Sequence, residues 1–184
     1  GLGPTPFAGM LFSDLGAEVT VIHRKDKSDF SNQKNILDRG KRSIELNLKD
    51  PEDLVIAKKL IIRSDAVIEG FRPGVMEKLG LGPNEFSENA SLVYGRMTGW
   101  GQDGPKSKQA GHDLNYIGLS GALWFASHPN TPPFTPPALV GDVGGGALYL
   151  VIGVLSAILN AKESGKGSIV DAAIVDGSAH MMNL

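Results

Sequence analysis

Residues 43–69 read SIELNLKDPEDLVIAKKLIIRSDAVIE, and this stretch indicates the fold. Residues 43–48 alternate polar and apolar side chains, which is typical of a strand. Asp50 and Pro51 then match the capping position and the first turn of a helix, which is predicted to run to about Arg63. Residues 65–69 form a second short, largely apolar run. A strand, a helix and a second strand in this order are typical of one unit of a parallel sheet.

The same alternation continues on both sides of this stretch. Further strands are predicted at residues 18–22, 92–96 and 168–172. Further helices are predicted at residues 7–15, 74–79, 84–88, 113–125 and 143–161, and from Ile174 onward. Because strands alternate with helices along the chain, the expected fold class is α/β, with a Rossmann-like parallel sheet and helices on both faces.

Composition narrows the classes of function. The formal net charge of −2 over 184 residues leaves no basic excess for a general nucleic-acid-binding protein. The absence of cysteine excludes disulfides and thiolate metal sites and fits a reducing, cytoplasmic compartment. The histidines lie far apart in the sequence, so the spacing of a metal site is missing.

One apolar stretch has the length of a membrane span. It covers the residues between Asp142 and Lys162, none of which is charged. Several glycines dilute its hydrophobicity, and the rest of the chain has the composition of a water-soluble protein. A helix that is apolar on all sides and buried in a domain is therefore favoured, and no membrane partner is expected.

Two short motifs each place one titratable side chain just before a predicted helix. AGHDLNY (residues 110–116) contains His112, and LVGDVGGG (residues 139–146) contains Asp142. Either residue could simply start its helix. Alternatively, two bases at two helix starts could flank one carbon atom and exchange its proton from opposite faces. The helix terminus would lower the pKa of Asp142 and burial would raise it, and the sequence leaves the balance open.

Basic residues recur where predicted strands end. Arg24 and Lys49 each follow a strand, and Arg72 and Lys78 follow the strand at residues 65–69. Each of them, taken singly, is typical of a solvated surface charge. Together, several cations at one edge of a sheet suit a diphosphate and a 3′-phosphate.

These features resemble the class III CoA-transferase family and, within it, the α-methylacyl-CoA racemase branch. The matching segments extend from end to end of the chain. They are GLGPTPF (1–7), DLGAEV (14–19), GKRS (40–43), EGFRPGVMEKLGLGP (69–83), RMTGWGQ (96–102), the two motifs above and residues 165–177.

The resemblance implies that residues 1–184 are the N-terminal portion of a large CoA-binding, Rossmann-like domain, incomplete at both ends, without the small domain and the returning segment. It implies that His112 and Asp142 are the two bases of a racemase that acts on 2-methylacyl-CoA through an enolate. CoA would be part of the substrate, with no metal and no separate cofactor, and the full-length protein would be an interlocked homodimer. The positions implied to contact CoA are Arg24, Leu46, Asn47, Leu48, Lys49, Gly70, Phe71, Arg72, Lys78, Gly111, Asp113, Leu114, Asn115 and Tyr116.

Two alternatives stay open. In CoA-transferase relatives the residue that matches Asp142 is a nucleophile that forms an acyl anhydride. His112 favours the racemase, because transferase relatives usually carry another residue, often aromatic, at that position. The second alternative is a CoA-binding fragment without activity, since relatives complete their site with a small domain. The acyl chain of the substrate is left open.

Overall fold

The computed structural model describes residues 3–25, 35–136 and 138–183. Within these ranges the strands are β1 (Thr20–His23), β2 (Arg42–Glu45), β3 (Ala66–Glu69), β4 (Val93–Thr98) and β5 (Ile169–Ala173). The α-helices are α1 (Pro4–Asp14), α2 (Pro51–Ile62), α3 (Val75–Lys78), α4 (Asp113–Ser120), α5 (Leu148–Ser164) and α6 (Ile174–Met181). Shorter 3₁₀ segments lie at Ile36–Asp38, Pro83–Phe86 and Ala122–Ala126, and a π-helix, Val140–Ala147, leads directly into α5.

All strand pairs are parallel. β1 pairs with β2, and β4 lies between β3 and β5 in a second sheet. The predicted helix start at Pro51 is confirmed, because the side chain of Asp50 accepts the N–H of Glu52 at 2.9 Å. Strands, helices and parallel pairing together confirm the α/β class predicted from the sequence.

Two apolar clusters cover the two faces of the β3–β4–β5 sheet. On one face, Met97 packs with Phe12 of α1 and with Leu150 of α5. On the other face, Tyr94 packs with Ile61 of α2 and Met76 of α3. β4 is buried along its whole length. The predicted layer of helices on both faces is therefore confirmed for this sheet.

The apolar helix differs from its prediction. Its first two turns are a π-helix, and the remaining α5 is buried on one side only, through residues such as Leu150 and Val154. The opposite side exposes Leu148, Ile152, Leu155 and Leu159. The expectation of a helix buried on all sides is therefore wrong for the residues described. By length and composition alone, Val140–Ser164 could cross a membrane, a test that core helices of soluble proteins also pass.

The predicted helix at residues 113–125 is shorter than expected. α4 ends at Ser120 because Gly121 adopts a left-handed conformation, with φ of 88°. A 3₁₀ turn at Ala122–Ala126 follows in its place. This turn leaves the side chains of Trp124 and Phe125 exposed.

Candidate active site

The π-helix places Asp142 where several elements meet. Glycines follow Asp142 in sequence, and they let α6 approach this helix with little space between the backbones. A Cβ added at Gly177 would overlap the carbonyl oxygen of Gly145. π-helical turns are rare in proteins, but those that occur are often found at functional sites. The glycine motif thus has a packing role that brings α6 against the segment carrying Asp142.

The carboxyl group of Asp142 is half-buried between α1 and α4. Gly3, which precedes α1 with φ of 74°, lies so close that an added Cβ would be 3.1 Å from Asp142 Oδ2. From the other side, the N–H of Asp142 donates to Asp113 Oδ2 at 2.6 Å. Only a residue without a side chain fits comfortably at position 3, so the start of α1 forms one wall around this carboxyl group.

Three influences set the pKa of Asp142. Burial raises the pKa of this carboxyl group above its usual value, and the negative charge of Asp113 raises it further. The positive charge of His112 lowers the pKa of Asp142, but by less. Burial is the largest of these causes, and the pKa of Asp142 lies above its usual value.

His112 lies at the start of α4 with its side chain exposed. Its backbone N–H donates to Asn115 Oδ1 at 2.9 Å, so the first turn of α4 fixes the backbone at this position. His112 is close enough to Asp142 for its charge to act on that carboxyl group. The structure therefore brings together the two titratable residues of the two sequence motifs.

Two aromatic residues pack together near His112 and Asp142. The ring of Tyr116 is buried against Gly111, where an added Cβ would be 2.7 Å from Tyr116 Cε1. Trp100 meets Tyr116 edge to face, with ring centroids 4.7 Å apart. Burial raises the pKa of the Tyr116 hydroxyl, and the charge of Asp142 raises it further. The ring of Tyr116 is therefore largely withdrawn from solvent and lies close enough to Asp142 for that charge to act on its hydroxyl group.

Of the cations predicted to contact CoA, Arg24 and Lys49 follow strands of the two-stranded sheet, Arg72 follows a strand of the other sheet, and Lys78 lies at the end of a helix. β1 and β2 end at the same edge, where the N–H of Leu46 donates to the carbonyl oxygen of His23 at 2.8 Å. Arg24 and Lys49 lie just beyond these ends and are exposed. Gly70, Phe71 and Arg72 follow β3, and Lys78 ends α3. Phe71, Arg72 and Lys78 are also exposed.

Other predicted contact positions differ in how far their side chains reach solvent. Asn47, Leu114 and Asn115 are exposed, while Leu48 and Gly111 are half-buried. The side chain of Leu46 is only 4% exposed and belongs to the core. Asp113 is also buried, and its carboxylate binds the backbone of Asp142. Leu46 and Asp113 can therefore meet a ligand through little more than their backbone.

Carboxylates that the sequence analysis did not single out fix loops that follow strands of both sheets. Asp53 Oδ2 accepts the N–H of Asn47 at 2.8 Å. Glu69 Oε2 accepts the N–H of Phe71 at 2.7 Å. Asp171 Oδ2 accepts the N–H of Gln102 at 3.0 Å. Only Glu69 stands at the end of its strand, whereas Asp53 lies in α2 and Asp171 lies inside β5, so the sequence offered no common signal for these three carboxylates.

Comparison with known proteins gives a consistent assignment. The model of the CoA-transferase family III matches residues 1–184. The α-methylacyl-CoA racemase of Mus musculus is 41% identical over 182 residues, which are 98% of this chain and 47% of that protein. The racemase of the same name from Homo sapiens is 41% identical over 183 residues. The succinyl-CoA:glutarate CoA-transferase of Homo sapiens is 31% identical over 183 residues, covering 92% of this chain and 42% of that protein.

Solved structures agree with the fold. A CAIB/BAIF family protein from Brucella suis superposes with a TM-score of 0.90 at 27% identity, over 99% of this chain and 52% of that one. Hypothetical protein Rv3272 from Mycobacterium tuberculosis superposes with a TM-score of 0.87 at 30% identity, over 98% and 53%. The chain spans about half the length of the relatives that it matches.

Proposed function

The chain belongs to the CoA-transferase family III, and on that premise we propose that the protein racemises 2-methylacyl-CoA thioesters. The observation that carries the proposal is that His112 lies close enough for its charge to act on Asp142, whose pKa is raised by burial. Imidazole is the commonest general acid–base group in proteins, and a carboxyl group whose pKa is raised by burial is a stronger base than a solvated aspartate. Relatives at 41% identity are named α-methylacyl-CoA racemases, which supports the same function.

The proposed reaction moves two protons and forms no covalent bond with the enzyme. The thioester carbonyl acidifies the hydrogen on the α-carbon, and one of His112 and Asp142 removes it. The electron pair of the C–H bond passes into an enolate. The other residue, already protonated, then gives its proton to the opposite face of the same carbon. Because the roles reverse for the other enantiomer, each residue must work as both acid and base.

The CoA part of the substrate serves as a handle in this proposal. Arg24, Lys49 and Arg72, all exposed at strand ends, would bind its phosphate groups. Binding energy from a remote group holds the α-carbon between the two bases and thereby raises the rate. No separate cofactor is required. An interlocked homodimer and a cytoplasmic location belong to the same proposal and rest on the family resemblance.

A CoA-transferase is the second candidate, because relatives at 30–32% identity carry that name. In that reaction a carboxylate oxygen of Asp142 attacks the thioester carbonyl, CoA leaves as the thiolate, and a mixed anhydride remains. The anhydride route needs only the nucleophile, whereas the racemase route needs a second proton carrier as well. The proximity of Asp142 to His112 therefore favours the racemase.

Isotope exchange separates the two candidates. Full-length protein, incubated with a single enantiomer of a 2-methylacyl-CoA in D₂O, is expected to incorporate deuterium at the α-carbon and to equalise the enantiomers. Mass spectrometry and chiral chromatography measure the two effects. Transfer of CoA to an added carboxylic acid without α-exchange would assign the transferase instead.

Variants of His112 and Asp142 test whether the two residues act on opposite faces of the α-carbon. His112→Ala and Asp142→Asn should each slow racemisation by about 10²–10⁴-fold, the usual contribution of a positioned acid or base. With one base left on one face, the residual α-exchange should favour opposite enantiomers in the two variants. Normal racemisation by His112→Ala would show that His112 only starts α4.

A further inference from the structure

A buried ion network lies under the loop that follows β3. Arg96, in the middle of β4, is 7% exposed, and Glu69, at the end of β3, is 4% exposed. Arg96 Nε donates to Glu69 Oε1 at 2.9 Å. The other two guanidinium nitrogens of Arg96 donate to both oxygens of Glu77, at 2.8 and 3.2 Å. One guanidinium thus joins β3, β4 and α3.

The network fixes both ends of a single segment. Glu69 uses its second oxygen to accept the N–H of Phe71 at 2.7 Å, which holds the loop after β3. Glu77 lies in α3, so the forked pair with Arg96 holds the other end of the segment. Between the two ends, Gly74 turns the chain with φ of 84°. The segment is residues 70–78, and its geometry depends on Arg96 at both ends.

This segment carries residues proposed to bind CoA. Phe71, Arg72 and Lys78 are exposed, although the carboxylates on either side of them are bound to Arg96. Without Arg96, Glu77 would present uncompensated negative charge next to Lys78, its neighbour in sequence. A phosphate group bound by Arg72 and Lys78 would then meet repulsion from the carboxylate of Glu77 as well as a loosened loop.

The charge of Arg96 favours the ionised form of both carboxyl groups in the network. Burial raises the pKa of Glu69, while the N–H of Phe71 and the guanidinium of Arg96 act against that rise. The hydrogen bond from Arg96 lowers the pKa of Glu77. If Arg96 is removed, Glu69 takes up a proton more readily, and its charge-assisted bond to the N–H of Phe71 weakens.

We propose that Arg96 is a positioning residue for CoA: it fixes residues 70–78 through Glu69 and Glu77 so that Arg72 and Lys78 face the phosphate groups. The proposal rests on the CoA-thioester function given above. Arg96 itself is buried and need not contact the ligand. Its effect should therefore be specific to the phosphate-bearing part of CoA and should depend on Arg72.

Calorimetric titration of full-length protein with CoA and with pantetheine, which lacks the nucleotide and its phosphates, tests the proposal. Arg96→Met is expected to weaken CoA binding by about ten- to a hundredfold and to leave pantetheine binding unchanged. Arg72→Ala should weaken CoA binding in the wild-type background but add little in the Arg96→Met background. Arg42→Met is the matched control, because it removes an exposed ion pair with Glu18 and should change neither ligand's affinity.

The outcomes separate this proposal from the proposed function. Wild-type protein that binds CoA no better than pantetheine would overturn both. A wild-type preference for CoA that survives in Arg96→Met, or fully additive losses with Arg72→Ala, would overturn the positioning role alone. If Arg96→Met fails to fold, the same titrations with Glu77→Gln decide the question. This variant is expected to fold, because the Glu77 side chain is 45% exposed. Selective loss of CoA affinity in Glu77→Gln supports the role of the network, and unchanged affinity overturns it.

Discussion

Asp142 illustrates how a single residue acquires its chemistry from its surroundings. A solvated aspartate is ionised at neutral pH and is a weak base. Here burial and the nearby charge of Asp113 both disfavour the ionised carboxylate, while the positive charge of His112 favours it. The result is a carboxyl group whose pKa lies above the usual value of an aspartate, which suits the proposed exchange of a proton with carbon.

Removal of the charge at Asp113 should therefore be visible in the pH dependence. The base form of Asp142 is lost as pH falls through its pKa, so a raised pKa moves the acid limb of kcat/KM to higher pH. Asp113→Asn removes one of the causes of the raised pKa, and its amide oxygen can still accept the N–H of Asp142. We expect the acid limb of racemisation to move to lower pH in this variant.

The control for this pH shift is Asp176→Asn, which removes the same charge from an exposed position on α6. Initial rates over a series of buffered pH values give both profiles. An acid limb that stays at the same pH in Asp113→Asn, or that moves equally in Asp176→Asn, would contradict the assignment of this limb to Asp142.

The contact of the π-helix with α6 matters most among the element pairings near the site. Gly177 of α6 lies against the carbonyl oxygen of Gly145, and a Cβ at position 177 would overlap it and also approach Tyr149 Cδ2 to 2.9 Å. Backbone atoms cannot move aside as a flexible side chain can. The two glycines therefore determine how closely α6 approaches the segment that carries Asp142.

Gly177→Ala should force these two elements apart. We expect it to lower the free energy of unfolding by about 1–3 kcal/mol, the usual cost of overpacking, and to reduce racemisation because Asp142 moves with the π-helix. Urea denaturation measures the stability. Gly118→Ala in α4 is the matched control, since its Cβ would come no closer than 3.9 Å to Leu123 and alanine favours a helix. Equal stability of the two variants would contradict the close packing.

The distribution of apolar side chains decides how the whole molecule behaves in solution. Leu148, Ile152, Leu155 and Leu159 recur at helical spacing along one side of α5 and are exposed in the part of the chain described. Exposed apolar stripes of this kind promote association between molecules.

The 184-residue chain in solution is therefore expected to self-associate through α5. Light scattering over a range of concentrations should show an average mass that rises with concentration. Ile152→Lys with Leu159→Lys should lower that mass, because each ammonium group would have to be buried on association. Val55→Lys with Ile56→Lys adds the same charge to exposed positions of α2 and serves as control. A concentration-independent monomer, or an equal effect of the control, would exclude the stripe as the cause.

The sequence by itself determined the local structure and the identity of the candidate bases. The alternation at residues 43–48 and the Asp50–Pro51 start specified β2 and α2 to within a few residues, because strand alternation and helix capping depend on neighbours along the chain. His112 and Asp142 were recognisable for the same reason, since each stands in a short motif at a helix start. The parallel α/β class followed from the order of the elements.

Only the tertiary structure decided which of these residues meet and how they are buried. Nothing near Asp142 in the sequence indicates that Gly3 lies against its carboxyl group or that burial and the charge of Asp113 raise its pKa. The sequence likewise did not reveal the network of Arg96, the burial of Leu46 or the exposed side of α5. The physical reason is that burial and charge–charge distances depend on residues far away in sequence, and these are brought together only when the helices pack on the sheet.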